Sequence, residues 1–149
     1  MRALLPTCFD LRHRLRAIAV VLSGLLLSSC GDGPTAPNAT DYQGVEWQLA
    51  SLQRSDFAIV TPPSGASFTA RFDDDGQLVA QADCNVCHAS YSATGTALSI
   101  SPMACTRAYC ASAPFDSEYV QALSTATGFE MSDGGLMVRS PAGTLRFVR

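Results

Sequence analysis

The chain has 149 residues, ten basic and thirteen acidic side chains, and a formal net charge of −3. Lysine is absent, and no basic patch is present that could displace counterions from phosphates, so a nucleic-acid partner is not expected. Only two histidines occur, and no G-x-S-x-G or phosphate-binding glycine motif accompanies them. Nothing indicates an enzyme, and we predict a non-enzymatic protein with no catalytic residue, metal or cofactor.

The first 29 residues have the pattern of a bacterial export signal. Four arginines precede the apolar run Ala17–Leu27, which is shorter than the roughly 20 residues that a membrane-spanning helix needs. The next residues, LSSC at Leu27–Cys30, closely resemble the lipobox of bacterial lipoproteins, whose cysteine is lipidated and becomes the N-terminal residue. The resemblance implies that residues 1–29 are removed and that Cys30 is lipidated, which leaves six basic and twelve acidic residues.

Residues 30–43 are predicted to be the lipidated cysteine and a flexible tether. The sequence GDGPTAPNATD at residues 31–41 has no large side chain to bury. In the lipoproteins that this region resembles, an aspartate directly after the cysteine favours retention in the inner membrane of many Gram-negative bacteria, whereas here the residue is Gly31. We therefore expect a lipid anchor in the outer membrane, with the domain facing the periplasm.

Most of residues 44–149 alternate with period two, which is typical of half-buried strands. The acidic sequence DDDG at residues 73–76 separates two such runs and predicts a hairpin turn, because glycine accepts the positive φ that such turns demand. It is not expected to bind calcium, since Arg71 occupies the first ligand position of an EF-hand loop. The predicted strands are 44–52, 67–72, 77–82, 87–94, 97–101, 128–133, 135–140 and 144–148.

One segment has helical periodicity instead. Apolar residues between Phe115 and Ala126 recur at helical spacing, Pro114 suits a first turn, and Gly128 can end the helix. The sequence therefore predicts one mainly β domain at residues 44–149, a small antiparallel barrel or meander of about seven or eight strands with one α-helix. Barrel closure would remove the exposed strand edges of an open sheet.

The domain contains four cysteines, and an even number in a small exported domain favours disulfides. Three pairings are possible. Facing residues of antiparallel strands have nearly constant sums of their residue numbers, and this holds for the nested pairs Cys84–Cys110 and Cys87–Cys105. The crossed pairs fit no common register, so the sequence favours the nested pairs.

The motif Cys84-x-x-Cys87-His88 has a competing interpretation, because C-x-x-C-H is the attachment signature of c-type haem. Both thiols would then bond the macrocycle, His88 would bind the iron, and Met103 could supply a second ligand. Since c-type cytochromes usually wrap haem in helices and only one helix is predicted, haem attachment is the less favoured interpretation.

Two further alternatives use the same cysteines. Zinc held by Cys84, Cys87 and two of His88, Cys105 and Cys110 fits the spacing, but an oxidising compartment disfavours it. A redox-active C-x-x-C motif normally opens a helix in a βαβ setting, which this sequence lacks.

Short motifs also follow one another in a recognisable order over nearly the whole domain. They are Trp47-x-Leu49, Phe72 with Gly76, Cys84-Asn85 with Tyr91, Thr106-Arg107 leading to Cys110, Glu118-Tyr119 with Ala122-Leu123, and terminal Leu136, Leu145 and Phe147. Their order and spacing resemble the META domain, also called the HslJ-like or DUF306 domain. The chain departs from the family at Asp83 and Ala89, where glycine is usual.

The resemblance implies a small mixed β-barrel that is often lipid-anchored in bacterial envelopes and is linked in some members to heat-shock or stress response. It brings no catalytic residues, but it matches Cys84 and Cys110 to the family's two cysteines and makes Cys87 and Cys105 an added pair. The motif residues for which it implies structural roles are Trp47, Asn85, Tyr91 and Thr106.

We therefore expect a non-enzymatic envelope lipoprotein that acts in envelope maintenance or stress tolerance. Its partners would be the membrane, through the lipid on Cys30, and an envelope protein. The alternative is a barrel that holds a small apolar ligand, against which the many large apolar side chains argue.

Overall fold

A computed structural model describes residues 37–111 and 114–149, so the predicted export signal and the lipid attachment at Cys30 lie outside the described residues. The helices are α1 (Ala39–Tyr42) and α2 (Phe115–Ser124). The strands are β1 (Glu46–Arg54), β2 (Ile59–Val60), β3 (Phe68–Phe72), β4 (Gln77–Ala82), β5 (Asn85–Thr94), β6 (Ala97–Ile100), β7 (Ala104–Cys105), β8 (Gly128–Ser132), β9 (Gly135–Ser140) and β10 (Gly143–Val148). Neither described helix is long and apolar enough to cross a membrane.

Eight of the strands form a closed antiparallel barrel. They neighbour one another in the order β1, β3, β4, β5, β6, β8, β9, β10, and β10 pairs back onto β1 from Gln48–Val148 to Arg54–Gly143. The two remaining strands are additions, since β2 pairs with β1 and β7 pairs with β5. The predicted mainly β barrel of seven or eight strands with one α-helix, here α2, is confirmed, and its closure distinguishes it from an open meander.

The barrel interior is filled by large apolar side chains from alternate strand positions, as the period-two pattern requires. Most of them are inaccessible to solvent, with an exposed fraction of zero or close to it. The bulkiest are Trp47, Phe68, Phe72, Phe129 and Phe147. Since these side chains fill the interior, they leave no space among them for the small ligand that the alternative prediction places inside the barrel.

Helix α2 packs at the end of the barrel where β3 begins. The ring of Phe68, the first residue of β3, meets the rings of Phe115 and Tyr119 edge-on at 4.9 and 5.3 Å. The Tyr119 hydroxyl also donates a hydrogen bond of 2.7 Å to the Thr69 carbonyl. A bidentate contact between Arg54 and Glu118, at 2.9 Å for each bond, ties the end of β1 to the helix.

Tyr42, which the sequence places in the predicted tether of residues 30–43, packs against the folded domain. Tyr42 is only 5% exposed, and its carbonyl accepts a 3.0 Å hydrogen bond from the indole nitrogen of Trp47. Its ring packs edge-on against the rings of Phe72, Tyr91 and Phe129. This tyrosine, which follows a small polar segment, therefore lies in the core at the end of β3 opposite α2.

Candidate groove beside the disulfide loop

The C-x-x-C-H motif lies at the start of β5, where alternate residues face opposite sides of the barrel wall. Cys87 is fully buried, whereas Cys84 and His88 are exposed. Cys84 is bonded to Cys110 and Cys87 to Cys105, with Cα atoms 5.6 and 4.0 Å apart. These are the nested pairs that the strand register favours.

Only the inner of the two disulfides joins residues that face each other in neighbouring strands. Cys87 and Cys105 are direct partners in the β5–β7 ladder. Cys110, in contrast, lies five residues beyond the end of β7, and its bond to Cys84 fastens a loop to the start of β5. We call residues 106–110 the disulfide loop.

The sulfur bonding bears directly on the haem, zinc and redox interpretations. Haem attachment needs both thiols of Cys84 and Cys87 for thioether bonds, and zinc needs them as thiolates, but each sulfur is joined to another cysteine. Within residues 37–111 and 114–149, no group of three histidine, cysteine or acidic side chains could hold a metal ion. The motif instead marks the point where the disulfide loop is fixed to the barrel.

Asn85 anchors the disulfide loop through both ends of its carboxamide. The oxygen accepts hydrogen bonds from the Ala108 amide at 2.7 Å and from the Thr106 hydroxyl at 3.1 Å. The nitrogen donates to the Ala108 carbonyl at 3.1 Å and to the Cys110 sulfur at 3.0 Å. The Thr106 hydroxyl in turn accepts from the Val86 amide at 3.0 Å, so Asn85 and Thr106 hold one local network.

Trp47 and Tyr91, the other two motif residues, lie elsewhere, near Tyr42. The Tyr91 hydroxyl donates to the Asp73 carbonyl at 2.8 Å and accepts from the Gln43 side chain at 2.7 Å. It therefore joins the β3–β4 turn to the chain that follows α1. The four motif residues therefore do not converge on one site.

Two tyrosines, Tyr42 and Tyr119, have raised pKa values, and burial of their side chains is the main cause. Burial, together with a smaller effect of the neighbouring Tyr91 hydroxyl, raises the pKa of Tyr42 to about 12. Burial also raises the pKa of Tyr119, whose hydroxyl is hydrogen-bonded to a backbone carbonyl. Both hydroxyls therefore stay protonated at neutral pH and cannot serve there as bases.

An open groove of about 910 Å³ lies between the disulfide loop, β7 and helix α2. Its wall combines apolar and polar side chains, among them Met103, Arg107, Tyr109, Asp116, Val120 and Gln121. No histidine or free thiol is among the described residues that line it, and the hydroxyl of Ser117 donates to the Asp116 carboxylate at 3.4 Å. The mixed apolar and polar wall is suited to binding a partner.

The disulfide loop presents two exposed side chains at the rim of this groove. Tyr109 is 98% exposed, and Arg107 forms no ion pair or hydrogen bond with any residue in the described part of the chain. Arginine and tyrosine are enriched among the residues that dominate protein interfaces. This groove could not be predicted from the sequence, because nothing in the local residue pattern shows that α2 packs opposite residues 106–110.

Comparison with known proteins agrees with the fold. The family model described as META domain matches residues 40–149. The NMR structure of a protein from Burkholderia xenovorans is 22% identical and covers 87% of this chain and 98% of its own, with a TM-score of 0.63. At that identity the likeness shows a shared fold. A comparison with curated proteins finds no match.

Proposed function

The chain belongs to the META-domain family, and on that premise we propose that it is a lipid-anchored envelope protein whose barrel acts as a binding module. The META domain is not a known enzyme family. The protein would act in envelope maintenance or stress tolerance, anchored in the outer membrane by Cys30, with the domain in the periplasm. An envelope protein would bind at the groove beside the disulfide loop.

The pair of disulfides is the observation that carries this proposal. Such bonds form and persist in oxidising compartments and are rare in the cytoplasm. They occur behind a basic and apolar N-terminal segment that ends in the lipobox-like LSSC, which independently favours export. The position of Gly31 after Cys30 favours the outer membrane over the inner membrane.

The groove supports the binding role through rigidity and charge. Asn85 and the Cys84–Cys110 bond fix the loop that carries Arg107 and Tyr109, so little conformational freedom is lost when a partner binds. The predicted mature chain carries twelve acidic residues against six basic ones, and an uncompensated arginine in such a protein favours an acidic segment of the partner.

Lipidation is tested by expressing the full chain in a Gram-negative host. We expect palmitate incorporation, accumulation of a larger precursor with globomycin, and co-sedimentation with outer-membrane vesicles. Cys30→Ser should abolish all three, whereas Cys8→Ser, in the segment that is removed, should label like the wild type. An unlabelled mature wild-type protein would contradict the anchor.

Partner binding is tested by chemical crosslinking in intact envelopes. We expect one crosslinked envelope protein with the wild type and its loss in Arg107→Glu. The control is Arg146→Glu, which makes the same charge change at another exposed arginine without a described ion pair. Equal loss in both variants would show a general charge effect and would reject the groove as the binding surface.

A further inference from the structure

The turn between β1 and β2 exposes an unusual concentration of apolar surface. Phe57 is 81% exposed and Ile59 is 68% exposed. The other large apolar side chains exposed in the described part of the chain, Tyr109 and Val148, lie far from this turn in sequence. We call residues 55–59 the β1–β2 tip.

The backbone of the tip does not favour phenylalanine. The Arg54 amide donates to the Ala58 carbonyl and the Phe57 amide to the Arg54 carbonyl, both at 2.9 Å, which defines a three-residue hairpin loop. The last loop residue adopts a left-handed conformation, with φ of 69° at Phe57. Glycine or asparagine is the residue suited to that position, because a larger side chain is strained there.

Packing does not compensate for this strain, since the Phe57 side chain lies almost wholly in solvent. A strained and exposed aromatic side chain is unfavourable for folding and for solubility, and residues held in such conformations cluster at functional sites. The tip therefore indicates a surface that becomes buried against something outside the domain.

We propose that the β1–β2 tip inserts Phe57 and Ile59 into the lipid surface to which Cys30 anchors the protein; this rests on the proposed lipid anchor. The sequence from Phe57 to Ala70 contains no charged residue, although acidic residues outnumber basic ones in the chain. The segment lacks the charges whose burial at a bilayer interface would be costly. Asp56, the charged residue of the tip itself, is exposed, and its carboxylate accepts a 3.0 Å hydrogen bond from the Ala58 amide.

The length of the chain between the anchor and the domain permits this contact. A chain from Cys30 to Ala39 can extend about 30 Å, which is similar to the length of a nine-residue strand such as β1. The barrel can therefore lie with its β1–β2 tip at the bilayer. Two apolar side chains bind a membrane weakly by themselves, but a covalent anchor keeps them at high effective concentration beside it.

The test uses the full chain, processed in a Gram-negative host, purified and reconstituted into phosphatidylethanolamine–phosphatidylglycerol vesicles. Trp47, the single tryptophan of the chain, is fully buried and provides a constant emission background. In Phe57→Trp and Ile59→Trp, we expect the added emission to fall about twofold when the vesicles contain lipids brominated near the top of the acyl chain. Val148→Trp is the control for an exposed apolar position, because Val148 pairs with Gln48 at the opposite end of β1, and it should not be quenched.

A second variant separates membrane contact from folding. Phe57→Gly relieves the backbone strain and should raise Tm by about 3 °C. In the Ile59→Trp background the same change should reduce quenching by brominated lipid, because the larger apolar side chain is gone. A gain in stability together with a loss of lipid contact is the result expected of a functional residue.

The other outcomes are distinguishable. A protein that does not float with the vesicles has lost the anchor, which contradicts the proposed function and the tip contact that rests on it. A protein that floats without quenching at positions 57 and 59 overturns the tip contact alone. Equal quenching at position 148 also overturns it. So does burial of the tip against a second copy of the chain, shown by crosslinks between chains through β2 without lipid quenching.

Discussion

The carboxamide of Asn85 fixes the position of a loop that has no regular secondary structure. It supplies both an acceptor and two donor contacts to residues 106–110, which would otherwise depend on the Cys84–Cys110 bond and a few strand contacts. We expect Asn85→Ala to lower the free energy of unfolding by about 1–2 kcal/mol, because water can reach the exposed loop and replace part of the network. Urea denaturation measures this loss, and amide exchange at Ala108 should accelerate.

Asn85→Asp is the matched control for this prediction. The carboxylate retains an oxygen that can accept from the Ala108 amide, but it cannot donate to the Ala108 carbonyl or the Cys110 sulfur. If the acceptor contacts dominate, protection of the Ala108 amide survives in this variant. An Asn85→Ala protein with unchanged Ala108 exchange would show that the disulfide alone holds the loop.

Tyr42 makes the stability of the folded domain depend on pH in the alkaline range. An unfolded tyrosine ionises near its usual pKa of 10.0, whereas in the folded barrel the pKa of Tyr42 rises to about 12. The folded state therefore retains a proton that the unfolded state loses. Its contribution to stability is fully present below pH 10 and is lost as the pH rises through 12. We expect Tm to fall over this interval in thermal scans.

The variant Tyr42→Phe isolates this contribution. It keeps the aromatic ring packed against Phe72 and Phe129 but has no proton to lose. Burial also raises the pKa of Tyr119, which adds a loss of the same sign, so about half of the alkaline slope should remain in the variant. An unchanged slope would show that Tyr42 does not titrate with folding.

Barrel closure depends at one point on the absence of a side chain. Gly143, the first residue of β10, pairs with Arg54, and a Cβ atom there would collide with the Gln53 carbonyl oxygen. Its φ of 150° also lies where residues with side chains are strained. We expect Gly143→Ala to cost about 3 kcal/mol or more, because rigid backbone and not a flexible side chain must move.

Gly134 provides the comparison for Gly143. It also has a positive φ, 74°, but lies in the β8–β9 turn with nothing within 4 Å of an added Cβ. Gly134→Ala should therefore cost only about 1 kcal/mol, the conformational part of the penalty. The difference between the two variants in chemical denaturation measures the steric requirement of closure, and similar losses would contradict it.

The elements that could be predicted from the sequence are those whose own residues carry the pattern. In strands such as β3 and β4, side chains alternate between the core and solvent, and α2 has a buried stripe of apolar side chains. Both kinds of element can therefore be predicted from their own residues. The two-residue strands β2 and β7 are too short for any alternation to appear. They form because they pair with the longer strands β1 and β5.

In the candidate site, too, some features could be predicted from the sequence and others depend on the tertiary structure. The pairing of Cys87 with Cys105 follows from a strand register that residue numbers alone can indicate, whereas the Cys84–Cys110 bond joins residues outside that ladder. The groove could not be predicted, because its two walls come from α2 and from residues 106–110, which only the closed barrel brings together. Likewise, Asn85 was assigned a structural role by family resemblance, but its hydrogen bonds to Ala108 follow from the tertiary structure.

The whole domain is stabilised from both ends of the barrel. Helix α2 packs on Phe68 at the start of β3, and Tyr42 packs on Phe72 at its end. The Arg54–Glu118 pair adds a contact from β1 to α2, but both side chains remain about a third exposed, so it contributes little. The main covalent restraints on this small domain are therefore the two nested disulfides.

Removing either disulfide should destabilise the domain less than its loop length alone indicates, because the bonds are nested. The sequence separations are 26 residues for Cys84–Cys110 and 18 for Cys87–Cys105. Taken alone, each bond would contribute about 3–3.5 kcal/mol by loop-closure entropy, but the second bond closes only a small remaining ring. We expect each double Cys→Ala variant to lose about 2–3 kcal/mol and the quadruple variant about 6 kcal/mol in urea denaturation.

Because Cys84 is exposed and Cys87 is fully buried, mild reductant should open the outer bond first, which peptide mass spectrometry with thiol alkylation detects. Prior opening of Cys87–Cys105, or a peptide that joins Cys84 to Cys105, would contradict this arrangement.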